Sequence, residues 1–226
     1  MSSQKYASLA KKLRFKYLSD KFFAFFCLIL AAPLFLMVTL LILWDGLIHP
    51  ENKGSLFYTE TRFSEGKRFQ IIKFRTVPES VVDWIRKEPE NRSITGREKV
   101  TWAGKWILKW YLDELPQLVN VLKGEMSIVG PRPHIEVHHH QDIAGGFHYR
   151  NYMKAGILGV PQACKRHPKY QAMFERMART HRSDIAALNK LDGLYARKCL
   201  EKSAIGIFFF DVSLVIRGLI VVLRGS

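Results

Sequence analysis

Phe22 to Trp44 is a run of 23 residues without one charged side chain, and no other stretch restricts the chain so strongly. As a continuous helix it would extend about 35 Å, enough to cross a hydrocarbon core of about 30 Å. It follows Lys5, Lys11, Lys12, Arg14 and Lys16, with no acid before Asp20, so the positive-inside bias places the amino terminus in the cytoplasm. The run is longer than the core of a signal peptide, and Trp44-Asp45 lacks a small-residue cleavage pattern. Pro33 stands at its middle, lacking an N–H and crowding the carbonyl one turn back. Two arrangements satisfy this pattern. One is a kinked spanning helix, and the other is a re-entrant hairpin that breaks at Ala32-Pro33 and returns to the face it entered from.

The chain carries 35 Lys and Arg against 20 Asp and Glu, a formal charge of +15, which calls for a polyanionic partner: phosphate ligands, an anionic bilayer or nucleic acid. Between Arg150 and Lys198 eleven cations face only Glu175, Asp184 and Asp192, marking that stretch as phosphate-facing or membrane-facing. Arg176, Arg179 and Arg182 recur there at helical spacing, as on a basic helix face beside lipid phosphates. Cys27, Cys164 and Cys199 are too few and too scattered for a disulfide framework or a metal knuckle, which fits a reducing compartment. His138-His139-His140, with His134 and Glu136 nearby, is a run of consecutive imidazoles without a matching ligand set and is not read as a metal site.

The segment from Leu56 to Arg75 alternates apolar and polar residues around Ser64-Glu65-Gly66 and predicts a β-hairpin. If Phe69 to Arg75 is extended, Lys73 and Arg75 project from one face and converge on one spot; a solvated basic edge strand has the same pattern. Residues 77–100 read as loop apart from a helical turn near Val81 to Ile85. Leu112, Leu115, Leu118, Val119 and Leu122 then predict an amphipathic helix ending at Gly124. Pro116 is comfortable only in a first turn, so that helix should start near Asp113, as a cap or first-turn residue, with Glu114 pointing elsewhere. Farther on, Gly130-Pro131-Arg132-Pro133 holds Arg132 on an extended backbone, its guanidinium suited to phosphate oxygens. Ala204 to Leu223, interrupted by Asp211 and Arg217, reads equally as an interfacial amphipathic helix, with Phe208, Phe209, Leu214, Val215 and Leu219 on its apolar side, or as a core helix.

Taken together, Leu112-Asp113-Glu114-Leu115-Pro116-Gln117-Leu118, Asn120-Val121-Leu122-Lys123-Gly124, Met126-Ser127 and Val129-Gly130-Pro131-Arg132-Pro133 resemble the bacterial sugar transferases, small monotopic polyprenyl-phosphate phosphoglycosyl transferases. Asp20, Pro33, Lys73-Phe74-Arg75-Thr76, Gly156-Ile157 with Gly159, and Asp192-Gly193-Leu194-Tyr195 extend the resemblance over essentially the whole chain. It implies an α+β, mostly helical fold: a basic segment over 1–20, a re-entrant membrane helix-break-helix over 21–45 with Pro33 at the break, a catalytic domain over 46–200 containing a small β-hairpin, and an interfacial amphipathic helix over 201–226. It also implies Mg²⁺, a UDP-sugar donor, a polyprenyl phosphate (undecaprenyl phosphate) acceptor and a lipid bilayer as partners. The expected location is the bacterial inner membrane, with catalysis on the cytoplasmic face where nucleotide sugars are found.

In the implied chemistry Asp113 is the nucleophile and a metal ligand, Glu114 assists it, and Lys73, Arg75, Arg132 and Lys109 are the candidate phosphate-binding cations. The chain departs from the pattern at Leu108, where the family carries Arg, at Glu125 in place of Asp, and at Ala155-Gly156-Ile157-Leu158-Gly159 in place of Pro-Gly-Ile-Thr-Gly. A homo-oligomer is compatible with the sequence. A non-catalytic membrane-surface adaptor is the rival reading, and no nucleic-acid partner is expected, since no binding motif for one is present.

Overall fold

The computed structural model describes residues 3–87, 99–164 and 185–223. The basic face at Arg176, Arg179 and Arg182 lies outside these. Helix α1 runs over Ser3–Ile48, 46 residues with Pro33 inside, so the break expected at Ala32-Pro33 is not a loop between two helices. What changes along α1 is burial. Leu9, Leu13, Lys16, Asp20 and Ala24 are buried, as are Val38, Ile42 and Asp45, whereas nothing from residue 25 to residue 37 is. Phe22, Phe26, Leu30, Leu36, Leu40 and Leu43 are exposed.

A β-hairpin follows, with β1 (Phe57–Ser64) antiparallel to β2 (Lys67–Phe74) as predicted. Its turn is Glu65-Gly66 with φ of 52° and 72°, the pair of positive values a two-residue hairpin turn requires. Helix α2 (Glu79–Lys87) buries Val81, Val82 and Ile85 against Tyr58 of β1. Helix α3 (Trp102–Lys109) is capped twice. Thr101 Oγ1 accepts from the Gly104 amide, and Asp45, at the far end of α1, accepts from the Ala103 amide at 3.0 Å.

Beyond the site come α4 (Gln117–Lys123), β3 (Met126–Val129), α5 (Glu136–Ala144), β4 (Ala155–Leu158) and the short α6 (Val160–Ala163). Strands β3 and β4 form a parallel pair absent from the sequence reading, each only four residues long. They approach so closely that a Cβ on Gly130 or on Gly156 would collide with the backbone of the other segment. The Gly156 amide donates to Pro131 O at 2.9 Å and the Gly130 amide to Leu158 O at 3.2 Å.

Helices α7 (Ile185–Glu201) and α8 (Ala204–Leu223) complete the main core, where Tyr195, Cys199, Ile207 and Leu214 pack with Leu9 and Leu13 of α1. Helix α8 is apolar on two sides. Ile207, Leu214 and Val221 face inward, while Ile205, Phe209, Val212, Ile216 and Leu219 leave an exposed stripe at helical spacing. Of the side chains assigned to lipid or core, Phe209 and Leu219 are outside and Leu214 is inside. By length and composition both α1, over Lys12–Ile48, and α8, over Ala204–Val221, could cross a membrane.

One polar knot joins these layers. Lys16 Nζ lies 2.8 Å from Asp20 and 2.9 Å from Asp211, and donates to Ser127 Oγ of β3 at 2.6 Å. Tyr195 Oη of α7 donates to Asp211 at 2.8 Å. Removing one partner of a buried ion pair costs about 3–5 kcal/mol, because the remaining charge stays buried without compensation. Lys16→Met, close in volume, should therefore lower stability by about that amount in a thermal or denaturant unfolding measurement in detergent. A loss below ~1 kcal/mol would show that the knot contributes little beyond its packing.

Candidate active site

The expected helix start at Asp113 is corrected by the structure. Trp110 ends α3, Tyr111 takes a left-handed φ of 55°, and Leu112–Glu114 forms a single 3₁₀ turn. Helix α4 begins only at Gln117, after Pro116. Amides of Glu114, Leu115, Leu118 and Val119 bond three residues back, so the segment ahead of α4 is wound more tightly than an α-helical first turn. Asp113 thus stands on a tight turn ahead of a seven-residue helix and is not its cap.

Lys73, near the end of β2, reaches across to this turn. Its Nζ lies 3.4 Å from Asp113 Oδ2 and 3.1 Å from Glu114 Oε1, and its side chain is only 12% exposed. Asn120 of α4 holds the strand in place, accepting from the Ile72 amide at 3.1 Å and donating to Gln70 O at 2.7 Å, as a neighbouring strand would. Asn120 also donates to Glu125 Oε2 at 2.7 Å, so the residue that departs from the family pattern is part of this brace. From the other side, Arg132 Nη2 comes to 3.5 Å from Glu114 Oε1, with 48% of its side chain exposed.

The two neighbouring carboxyls titrate in opposite directions. Burial raises the Asp113 pKa and the Glu114 charge adds to the rise, while Lys73 and Arg132 restrain it. Burial acts the same way on Glu114, but Lys73 and Arg132 together outweigh it and the net direction is down. Glu114 therefore stays ionised between the cations, and Asp113 presents the more basic oxygens. Among the described residues no three His, Cys, Asp or Glu side chains gather into a metal site.

Arg75 goes elsewhere. Strand β2 ends at Phe74, so alternation no longer governs its direction. Its guanidinium donates to the carbonyls of Ser55, Asn52 and Val77 at 2.5, 2.7 and 2.7 Å, buried under the loops flanking the hairpin. Lys73 and Arg75 therefore do not converge. Lys109 is exposed, its ammonium 5.3 Å from the ring centre of Trp106 and 5.7 Å from that of Trp110, and it makes no ion pair with Asp113 or Glu114. Leu108 is 39% exposed on the same helix.

Behind Arg132 lies a buried network that sequence reasoning missed. Arg150 donates to the Arg132 carbonyl at 2.8 Å, and its guanidinium also meets Asp142 at 3.0 Å, Asp192 at 3.1 Å and Asn189 Oδ1 at 2.6 Å. His134 Nδ1 lies 2.6 Å from Asp142 Oδ2; burial lowers the imidazole pKa to about 4, so at neutral pH it is uncharged. His139 stacks on Phe63. Asn120 left a trace in the sequence, as a polar residue between apolar pairs on a short helix. Arg150 left none, since its partners Asn189 and Asp192 are 39 and 42 residues away.

These features define the class. The chain belongs to the bacterial sugar transferase family, whose model matches residues 11–224. It is similar to the exopolysaccharide production protein ExoY of Sinorhizobium fredii, 35% identical over 156 residues, which is 63% of this chain and 66% of that protein. The UDP-glucose:undecaprenyl-phosphate glucose-1-phosphate transferase of Klebsiella pneumoniae is 33% identical over 151 residues, 66% of this chain and 30% of its own length. A UDP-N-acetylgalactosamine-undecaprenyl-phosphate N-acetylgalactosaminephosphotransferase of Aeromonas hydrophila is 36% identical over 137 residues, 59% and 31% of the two chains. The match therefore spans just under two thirds of ExoY and about a third of the two larger relatives.

Asp192 offers a measurable signature of the network. Burial pushes its carboxyl up to about 7, against Arg150 and Arg132. An unfolded Asp titrates near about 3.9, so the folded state holds the proton more tightly, and this group's contribution to stability falls as pH rises from about 4 to about 7. Asp192→Asn is neutral throughout and should gain on the unsubstituted chain across that window, the difference in Tm levelling off above it. A Tm difference independent of pH would contradict this assignment.

Proposed function

We propose that this chain moves a sugar-1-phosphate from a UDP-sugar to undecaprenyl phosphate through a covalent intermediate on Asp113. The observation that carries this reading is the paired carboxyl turn facing Lys73 and Arg132: a nucleophile with raised basicity beside a fixed carboxylate and two cations. The activities for which the Klebsiella and Aeromonas relatives are named support the same reaction class.

In the first step an oxygen of the Asp113 carboxylate attacks the phosphorus that carries the sugar. The bond from that phosphorus to the bridging oxygen breaks, and UMP leaves with the electron pair. In the second step an oxygen of the acceptor phosphate attacks the same phosphorus, the acyl phosphate bond to Asp113 breaks, and the carboxylate is regenerated. Lys73 and Arg132 sit where negative charge on the phosphoryl oxygens would be offset. Glu114 positions both cations and, being ionised, is a poor proton donor at neutral pH.

Asp113 and Glu114 also fit a Mg²⁺ ion, which proteins hold through one or two carboxylates with substrate phosphates completing its shell. When bound, that ion would neutralise charge on the diphosphate. Asp113→Asn should reduce UMP release from a panel of UDP-sugars, with Mg²⁺ and polyprenyl phosphate present, by ~10³-fold or more. Unchanged release by the variant would remove Asp113 as the nucleophile, and no release by the unsubstituted chain across the panel would favour the adaptor reading.

For topology we propose a re-entrant α1 with the catalytic residues on the cytoplasmic face of a bacterial inner membrane. Ala24 shares a core with Phe69 and Ile71 of β2, and Val38 shares one with Phe74 of the same strand. A straight helix separates Ala24 from Val38 by about 21 Å, whereas Phe69 and Phe74, the outermost of these residues on β2, lie about 17 Å apart along the strand. Two arms leaning toward one strand, with exposed Pro33 between them, support a bend there. Single cysteines at Arg14 and Lys53, in a chain with its three native cysteines replaced, should react with an impermeant maleimide from the same side of oriented vesicles. Reaction from opposite sides would establish a spanning helix.

A further inference from the structure

An apolar groove lies between the second arm of α1 and α3. Met37 and Leu41 of α1 line it together with Trp102, Trp106, Ile107, Trp110 and Leu112, around a volume of about 370 Å³. The three tryptophans stand four residues apart, on successive turns of one helix face. The groove shares Met37 and Leu41 with a second apolar hollow of about 650 Å³ that runs along α1 past Leu43, Trp44 and Leu47. Its lining is almost wholly apolar, yet Trp102, Trp106 and Trp110 are each nearly half exposed. Their indoles therefore face a space that no described part of this chain fills.

The surroundings of the groove differ in chemistry. Leu112, one of its lining residues, immediately precedes Asp113 in the chain. Lys109 lies over Trp106 and Trp110, which sets an ammonium at the rim beside an otherwise uncharged surface. The adjoining hollow is lined by the exposed apolar side chains Leu40, Leu43 and Leu47 of α1. A matching ligand has an anionic head that must reach Asp113, a single long apolar chain, and a reason to leave the bilayer at this point.

We infer that the groove between α1 and α3 receives the first isoprenoid units of the acceptor, with Trp102, Trp106 and Trp110 packing against its methyl-branched chain. The inference rests on the acceptor proposed above. An ordinary phospholipid has no requirement to bring its phosphate beside Leu112, whereas an acceptor for Asp113 does. Lys109, which makes no ion pair with the catalytic carboxyls, then gains a role as the cation that the acceptor phosphate passes.

The direct test is photocrosslinking without turnover. The purified full-length chain in lipid nanodiscs is mixed with a polyprenyl phosphate carrying a diazirine in its second isoprene unit, and the labelled peptide is identified by mass spectrometry. The label should fall on α3 or on Met37 to Leu41, and should be displaced by unlabelled polyprenyl phosphate but not by phosphatidylglycerol. Labelling elsewhere, or equal displacement by phosphatidylglycerol, would overturn the inference. Because this readout needs no UDP-sugar, competed labelling of the groove in a chain that releases no UMP would sink the proposed reaction and leave the acceptor site standing; an active chain labelled elsewhere would do the reverse.

A kinetic arm uses Trp106→Ala, with Trp106→Phe as the conservative variant. The alanine should raise the KM for a long polyprenyl phosphate about tenfold, a shift on the scale of one lost aromatic contact, and the phenylalanine should restore most of it. A purely structural role for Trp106 predicts instead that the KM values for donor and acceptor rise together.

Discussion

A single buried ammonium holds the layers of this protein in register. Lys16 is 2% exposed and is shared by Asp20 on its own helix, Asp211 on α8 and Ser127 on β3. Three elements distant in sequence are thereby fixed at the point where α1 leaves the catalytic domain for its exposed apolar stretch. Hydrophobic packing is non-directional and could tolerate rotation of α1 or α8 about their axes. A charge with stringent partners cannot, since any rotation that removes Lys16 strands two carboxylates. The faces that α8 and α1 leave exposed are therefore fixed by this polar contact as well as by the apolar residues around it.

At the Asp113–Glu114 turn, geometry makes neighbouring residues unequal. Asp113 and Glu114 both meet Lys73, but only Glu114 also meets Arg132. The outcome is one carboxylate fully committed to cations and one that keeps its basicity. Both carboxyls reach the one ammonium from the 3₁₀ turn over Leu112–Glu114, which follows the left-handed Tyr111.

Much of this was legible in the chain itself, for identifiable reasons. The hairpin announced itself through strict alternation and a Gly-containing turn, and the apolar run of α1 through length alone. Asp113, Glu114, Lys73 and Arg132 were singled out by motif and are brought together. The failures also have physical causes. Lys73 and Arg75 were paired on the assumption that the strand continues, but it ends between them and Arg75 is captured by loop carbonyls. The parallel pair β3 and β4 is too short to show a period, and its determinant is the absence of Cβ atoms at Gly130 and Gly156, which no pattern of hydrophobicity records. Arg150 was invisible because its partners are set by tertiary structure alone.

The crossing at Gly130 and Gly156 has one more implication. The candidate site rests on two separate foundations: Lys73 on the hairpin braced by Asn120, facing the Asp113–Glu114 turn, and Arg132 on the glycine crossing anchored by Arg150. The Lys73 half is tied down by strand-like hydrogen bonds. The other half ends in an exposed guanidinium on a short proline-flanked tether. Drift of sequence in the second foundation can re-aim Arg132 while Lys73 stays where it is. Under the reaction proposed above, such a division would let contacts to the donor change without moving the carboxylate.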